Sequence, residues 1–256
     1  MDTFEIRLFG RVELDVAGRP AKLGGRQAQA LLALLALEPG PRPREVLATA
    51  LWPEADGPSS AACLRQTLWL LRGAVSRAGG EPDHLLDADP LEIGLRVGAD
   101  VTVDVAAFEL DRLGPPAARE RALACYRSDL AEGLYQEFLA FERERLRDAH
   151  EDLLARVAAD RRLAGDLAGA REAVTALLRL DPLREEAHLE LIRLHAAVGQ
   201  RSQVLRQYER MREILGRDLG VEPLPETERE VAAILGLPEK QRVPRLAARG
   251  LTHAHA

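Results

Sequence analysis

PSSAACLRQTLWLLRGAVSRAG, Pro58 to Gly79, is helical in pattern, locally basic and free of acid, and its reading decides the fold. Leu64, Leu68, Leu71 and Val75 recur at steps of four, three and four. At about 100° per residue they form one narrow apolar stripe, so one face of this helix belongs to a core. The other sides carry Ser59, Arg65, Gln66, Trp69, Arg72, Ser76 and Arg77. Such residues can contact phosphates, base edges and thymine methyl groups.

Working outward toward the amino terminus, Pro43 opens a helix through Glu45, Val46, Leu47 and Leu51 to Trp52, which Pro53 stops. Before it, Arg26 to Leu37 is apolar on nearly all sides after its first turn and reads as a buried helix. Thr3 to Phe9 and Val12 to Val16 alternate like short strands, and a third is expected at Ala21 to Leu23. On the other side, His84 to Asp87 and Leu91 to Leu95 flank Ala88-Asp89-Pro90 as a hairpin. A small sheet, three helices and a trailing hairpin make a winged helix.

From residue 105 onward the pattern changes. Gly165-Asp166 returns as Gly199-Gln200, a period of 34, with Ala170 mapping onto Val204 and Val174 onto Tyr208. That period, with Pro182 closing a second helix, is the tetratricopeptide spacing. Ala117 to Asp129 and Leu139 to Arg161 are expected to be an earlier helix pair that caps the repeats. The expected fold is therefore mainly α, with an α+β amino-terminal part. A winged helix-turn-helix domain over residues 1–104 is followed by an all-α, tetratricopeptide-like helical repeat domain over 105–236 and a flexible tail over 237–256.

Composition narrows the function. The net charge is −6, and residues 1–108 hold eleven Arg or Lys against fifteen Asp or Glu. Phosphate affinity comes from neutralising cations, so any nucleic-acid contact is confined to a small footprint. Cys63 and Cys125 have no metal-ligand spacing and read as two reduced, buried thiols. With no signal peptide and no 18-residue apolar run, the expected location is cytoplasmic, with no membrane partner. Asp100, Asp104 and Glu109 spread over a strand-to-helix junction without a histidine, and the chain has no Gly-rich phosphate loop, HExxH or GxSxG. No catalytic residue, metal or cofactor is expected.

Several stretches together carry a resemblance. LALLALEPGP, then LATALWPEAD, then LRQTLWLLR ahead of the hairpin resemble the winged helix of the OmpR type. VDVAAFE, ALACYRSDLAEGLYQEFLAFERERLR, LDPLREEAHLELIRLHAAVGQ and LGRDLGVEPLPET resemble a bacterial transcriptional activation domain. In this order, over roughly Thr3 to Thr227, they are similar to the Streptomyces antibiotic regulatory protein (SARP) family. The resemblance implies a nucleoid-associated transcriptional activator of a secondary-metabolite (antibiotic-type) biosynthetic gene cluster. Such a protein binds direct repeats in double-stranded promoter DNA as a homodimer and recruits RNA polymerase through the sigma factor.

On that basis the DNA-binding set is Ser59 and Ser60 seating a phosphate, Arg65 and Gln66 reading bases, and Arg72 and Arg77 holding the backbone, with Trp69 touching a thymine methyl or packing under the wing. Two positions depart from the family pattern. The hairpin tip is acidic, Asp87-Ala88-Asp89-Pro90, where many winged helices carry a cation, and Cys63 replaces a common asparagine. The rival from another class is a tetratricopeptide-type adaptor whose winged helix does not bind DNA.

Overall fold

The computed structural model describes residues 2–96, 98 and 100–237. Of the tail expected over 237–256, everything after Leu237 lies outside the described residues. The chain divides into two compact units, Met1–His150 and Glu151–Ala256.

The first unit opens with a meander of β1 (Phe4–Arg7), β2 (Glu13–Val16) and β3 (Arg19–Pro20), with Ile6 opposite Leu14. Phe4 and Ile6 are buried while Glu5 points to solvent, as the period of two requires. The turn from β2 to β3 puts Ala17 at φ 49° and Gly18 at φ 78°, a left-handed pair that matches the twist of a two-residue hairpin. The third strand thus lies earlier than the expected 21–23.

α1 (Arg26–Leu37) is the hub, with Leu31, Leu32 and Leu35 fully buried. β4 (Arg42–Pro43) leads into α2 (Arg44–Leu51), and α3 (Gly57–Arg77) follows a short loop. Next come α4 (Pro82–Leu85), β5 (Leu86–Ala88) and β6 (Glu92–Leu95), the last two forming the hairpin, with β4 added as its third strand. His84, expected at the start of a strand, lies in α4, because Pro82 suits the first turn of a helix. Gly94 is obligatory in this small sheet: a Cβ there would come within 2.7 Å of the Gly40 carbonyl oxygen. β7 (Val101–Val103) then runs parallel to β1, giving the order β3-β2-β1-β7.

The unit does not end with this winged helix. α5 (Asp104–Asp111), α6 (Pro116–Cys125) and the start of α7 (Glu137–Leu163) belong to the same compact body. The expected capping pair is thereby revised: α6 stops at Cys125 and packs on α5. The carboxylate of Asp104 accepts from the backbone amides of Leu8 (2.9 Å), Phe9 (3.0 Å) and Val105 (2.8 Å). Burial pushes its pKa up, and the amide donors pull it back. Leu130 bridges Phe9, the Gly10 amide donates to the Asp129 carbonyl, and the Ala131 amide donates to the Leu8 carbonyl. Arg143 donates to the carbonyls of Leu130 and Leu134. Phe9, Phe108 and Tyr126 pack ring on ring, and the His150 imidazole stacks on Tyr126 at 3.9 Å.

The second unit holds the end of α7 with α8 (Leu167–Leu180), α9 (Glu185–Ala197), α10 (Arg201–Asp218) and α11 (Pro225–Ile234). The turns into α8 and α10 repeat: Gly165 and Gly199 both have positive φ, 83° and 71°. The repeat-equivalent residues Ala170, Val174, Val204 and Tyr208 are all buried. His188 is 1% exposed, bonded through Nε2 to the Pro182 carbonyl at 2.9 Å and through Nδ1 to the Gln207 amide at 2.6 Å. Burial holds it below the usual histidine range, so it serves as a neutral wedge. Arg162 of α7, Glu190 and Arg193 of α9 and Glu230 of α11 form a chain of alternating charge, with contacts of 2.8, 3.3 and 2.5 Å.

Candidate nucleic-acid interface

α3 is built as its stripe predicts: Leu64, Leu68, Leu71 and Val75 are buried, with Ser60, Thr67 and Ala74 beside them. Its start differs from expectation. Asp56 is the N-cap, and its carboxylate accepts from the Ser59 amide at 2.9 Å. The Ser59 side-chain and amide hydrogen bonds hold that carboxyl below the usual range, so the negative charge is fixed. Ser60 is only 5% exposed, and its hydroxyl donates to the Gly57 carbonyl at 3.1 Å. The phosphate seat expected at Ser59 and Ser60 is therefore filled by the protein's own carboxylate, and Ser60 is withdrawn from the surface.

Beyond this cap, Arg65, Gln66 and Trp69 are exposed along the outer face. Trp69 is 65% exposed, which rules out packing under the wing. Arg72 is half-buried and bonded to Asp83 of α4 at 2.7 Å, so part of its charge is neutralised within the protein. Arg77 is exposed and folds back over Gly73: its terminal nitrogen would lie 3.0 Å from a Cβ placed there. Among the described residues neither Arg65 nor Arg77 is paired with a carboxylate. Cys63, expected to be buried, is exposed on the same helix, and Cys125 is half-buried with its thiol pKa raised by burial.

The wing tip is acidic yet internally satisfied. Asp89 Oδ1 accepts from the amides of Leu91 (2.7 Å) and Glu92 (2.8 Å). Led by the Glu92 bond, these donors hold the carboxyl below its usual range. Leu91 is 76% exposed, and Arg96 lies 3.7 Å from Asp87. Arg44, absent from the set expected from sequence, ties the wing to α2: its Nε donates to the Asp89 carbonyl at 2.8 Å and its amide donates to the Leu91 carbonyl at 2.9 Å. The available signal was a cation directly after Pro43 at a helix start. Asp56 also had one, an Asp one residue before Gly-Pro at a helix opening, where a cap is favoured.

No helix among the described residues is long and apolar enough to cross a membrane. Also among the described residues, no group of three or more His, Cys, Asp or Glu side chains is placed to hold a metal ion.

Residues 104–235 match the family described as bacterial transcriptional activator domain. The transcriptional regulatory protein EmbR of Mycobacterium bovis, and its counterpart in Mycobacterium tuberculosis, are 27% identical to this chain over 233 residues, 85% of this chain and 60% of theirs. The chain thus spans about 60% of the length of the curated relatives it matches. The structure of Mycobacterium tuberculosis EmbR in complex with a low affinity phosphopeptide has a similar fold, with a TM-score of 0.75 and 23% identity over 93% of this chain and 66% of that one.

Proposed function

The chain belongs to the bacterial transcriptional activator domain family, and from that premise we propose that it is a sequence-specific, DNA-binding transcription regulator that acts as an activator. The winged helix is of the OmpR type, and α3 lies in the major groove of promoter DNA. Gln66 and Trp69 face the bases and Arg77 faces the backbone, with Arg72 contributing once it leaves Asp83. The repeats of the second unit are tetratricopeptide-like and serve dimerisation and contact with RNA polymerase through the sigma factor. The protein acts in the cytoplasm, on the nucleoid, as a homodimer on direct repeats, and controls a secondary-metabolite gene cluster of the antibiotic type. Its chemistry is binding alone, without catalysis.

The observation that carries this reading is the outer face of α3, where exposed Arg65, Gln66, Trp69 and Arg77 stand together with no acid between them. The rival, an adaptor without DNA affinity, draws on the carboxylates at the α3 cap and the wing. Selection of random duplexes by the purified chain, followed by a salt titration, separates the two. Enrichment of a tandem repeat whose affinity falls steeply with salt is expected. No enrichment by folded protein would transfer the assignment to the adaptor.

A further inference from the structure

A cleft of about 520 Å³ opens between the amino-terminal ends of α2 and α3 and the wing, lined by Arg44, Glu45, Thr49, Ser60, Arg65 and Pro90 among others. We propose that this cleft, in place of the α3 amino terminus, is the seat for a DNA backbone phosphate, gripped by Arg44 and Arg65. The proposal rests on the DNA-binding reading and names where its principal phosphate contact falls.

Three observations converge. First, the helix terminus that would ordinarily attract an anion already holds the Asp56 carboxylate, which repels a second one. Second, two guanidinium groups from different helices line one cleft, and among the described residues neither forms a salt bridge, although the Arg44 charge also acts on the nearby Asp89 carboxylate. Arg72, farther along α3, is paired with Asp83. The one acid among the lining residues is Glu45, exposed at the start of α2. Third, Arg44 is already held in place, because its Nε is bonded to the Asp89 carbonyl. Its terminal nitrogens remain for a phosphate oxygen, and fixing them on binding costs less side-chain entropy. Pro90 on the rim places the cleft where a strand would pass from the helix to the wing, the path on which the first helix of such a motif crosses the backbone.

The assignment moves Arg65 from base reading to phosphate holding, and the two roles have different signatures. Removing a phosphate-holding cation weakens binding to all duplexes alike and lowers the salt slope by about 0.9, whereas removing a base-reading side chain relaxes preference at one base pair. The test uses the full chain and a duplex taken from the selection. Arg44→Ala and Arg65→Ala should each reduce the affinity lost between about 50 and 200 mM salt by roughly threefold, with base preferences unchanged. Glu45→Gln, which touches no bond that holds the fold, should raise affinity several-fold at low salt.

An unchanged slope in both arginine variants, or an Arg65→Ala variant that relaxes one base pair at constant slope, overturns the proposal. Titration with inorganic phosphate separates the source of the anion. Saturation of the arginine Nε signals at millimolar phosphate, with both slopes unchanged, would assign the cleft to a free anion and also overturn it. If the wild-type chain binds no duplex, the DNA-binding reading falls and takes this site with it; wild-type binding with unaltered variants removes this site alone.

Discussion

Replacing Asp104 by alanine should destabilise the first unit more than any other single change to a carboxylate. The Asp104 side chain accepts from three backbone amides, those of Leu8, Phe9 and Val105. Leu8 is fully buried and Phe9 only 5% exposed, so water has little access to the two amides left behind. A buried donor without a partner costs about 1–3 kcal/mol, and bonds to a charged acceptor lie at the upper end. Two such losses, with a smaller one at the more accessible Val105 amide, come to roughly 3–6 kcal/mol. At about 2–4 °C per kcal/mol for a unit of this size, the midpoint should fall by at least about 6 °C. Thermal unfolding followed by circular dichroism gives the shift, and hydrogen exchange at the Leu8 and Phe9 amides locates it. Asp104→Asn should fall between, since it keeps one acceptor oxygen but turns an amide donor toward other donors. A midpoint within about 2 °C of wild type, with both amides still protected, would refute the reasoning.

Truncation tests the same seam from another side: residues 1–104 alone should yield a loose, aggregation-prone chain, because Leu130 and Ala131 no longer close the end of β1, whereas 1–150 should give dispersed amide NMR signals. His150 is half-buried against Tyr126 with its pKa lowered to about 4 by burial, and its Nδ1 has no partner among the described residues. The unfolded chain therefore binds this proton more readily, and stability should fall as pH drops from about 6.5 to about 4, by at most roughly 2 kcal/mol after discounting for partial exposure. In urea titrations at several pH values, His150→Phe should keep the stack and remove that portion of the slope. Gly94→Ala should cost about 1–3 kcal/mol by pushing β6 away from Gly40; thermal melts would show it, together with weaker duplex binding, if the wing must keep its place.

Elements set by local periodicity were legible in the sequence. The step pattern of Leu64, Leu68, Leu71 and Val75 fixes both the existence of α3 and its buried face. The return of Gly165 as Gly199 likewise marks two equivalent turns. Whatever depends on partners distant in sequence was not legible. Asp104 looks like one member of a scattered acidic group until Leu8 and Phe9, about a hundred positions earlier, are found to donate to it. β7 is too short to announce itself and exists because β1 offers a parallel edge. At the candidate interface, the angular position of Trp69 places it outward, and the structure leaves it 65% exposed. The inward turn of the Ser60 hydroxyl, by contrast, is a back-bond to the Gly57 carbonyl within the first turn of the helix, a detail that spacing alone does not carry.

The chain of alternating charge from Arg162 through Glu190 and Arg193 to Glu230 has a kinetic corollary. Opposite charges a few ångströms apart cancel one another within a Debye length, so this surface exerts almost no pull on a distant charged molecule. Whatever settles there must arrive by unguided collision, at a rate of the unsteered order of 10⁵–10⁶ M⁻¹s⁻¹ that ionic strength scarcely alters. Arg65 and Arg77 on α3, which form no salt bridge among the described residues, act at longer range, and association through them slows as salt is added. Stopped-flow traces at two ionic strengths would therefore tell which of the two surfaces an incoming molecule meets first.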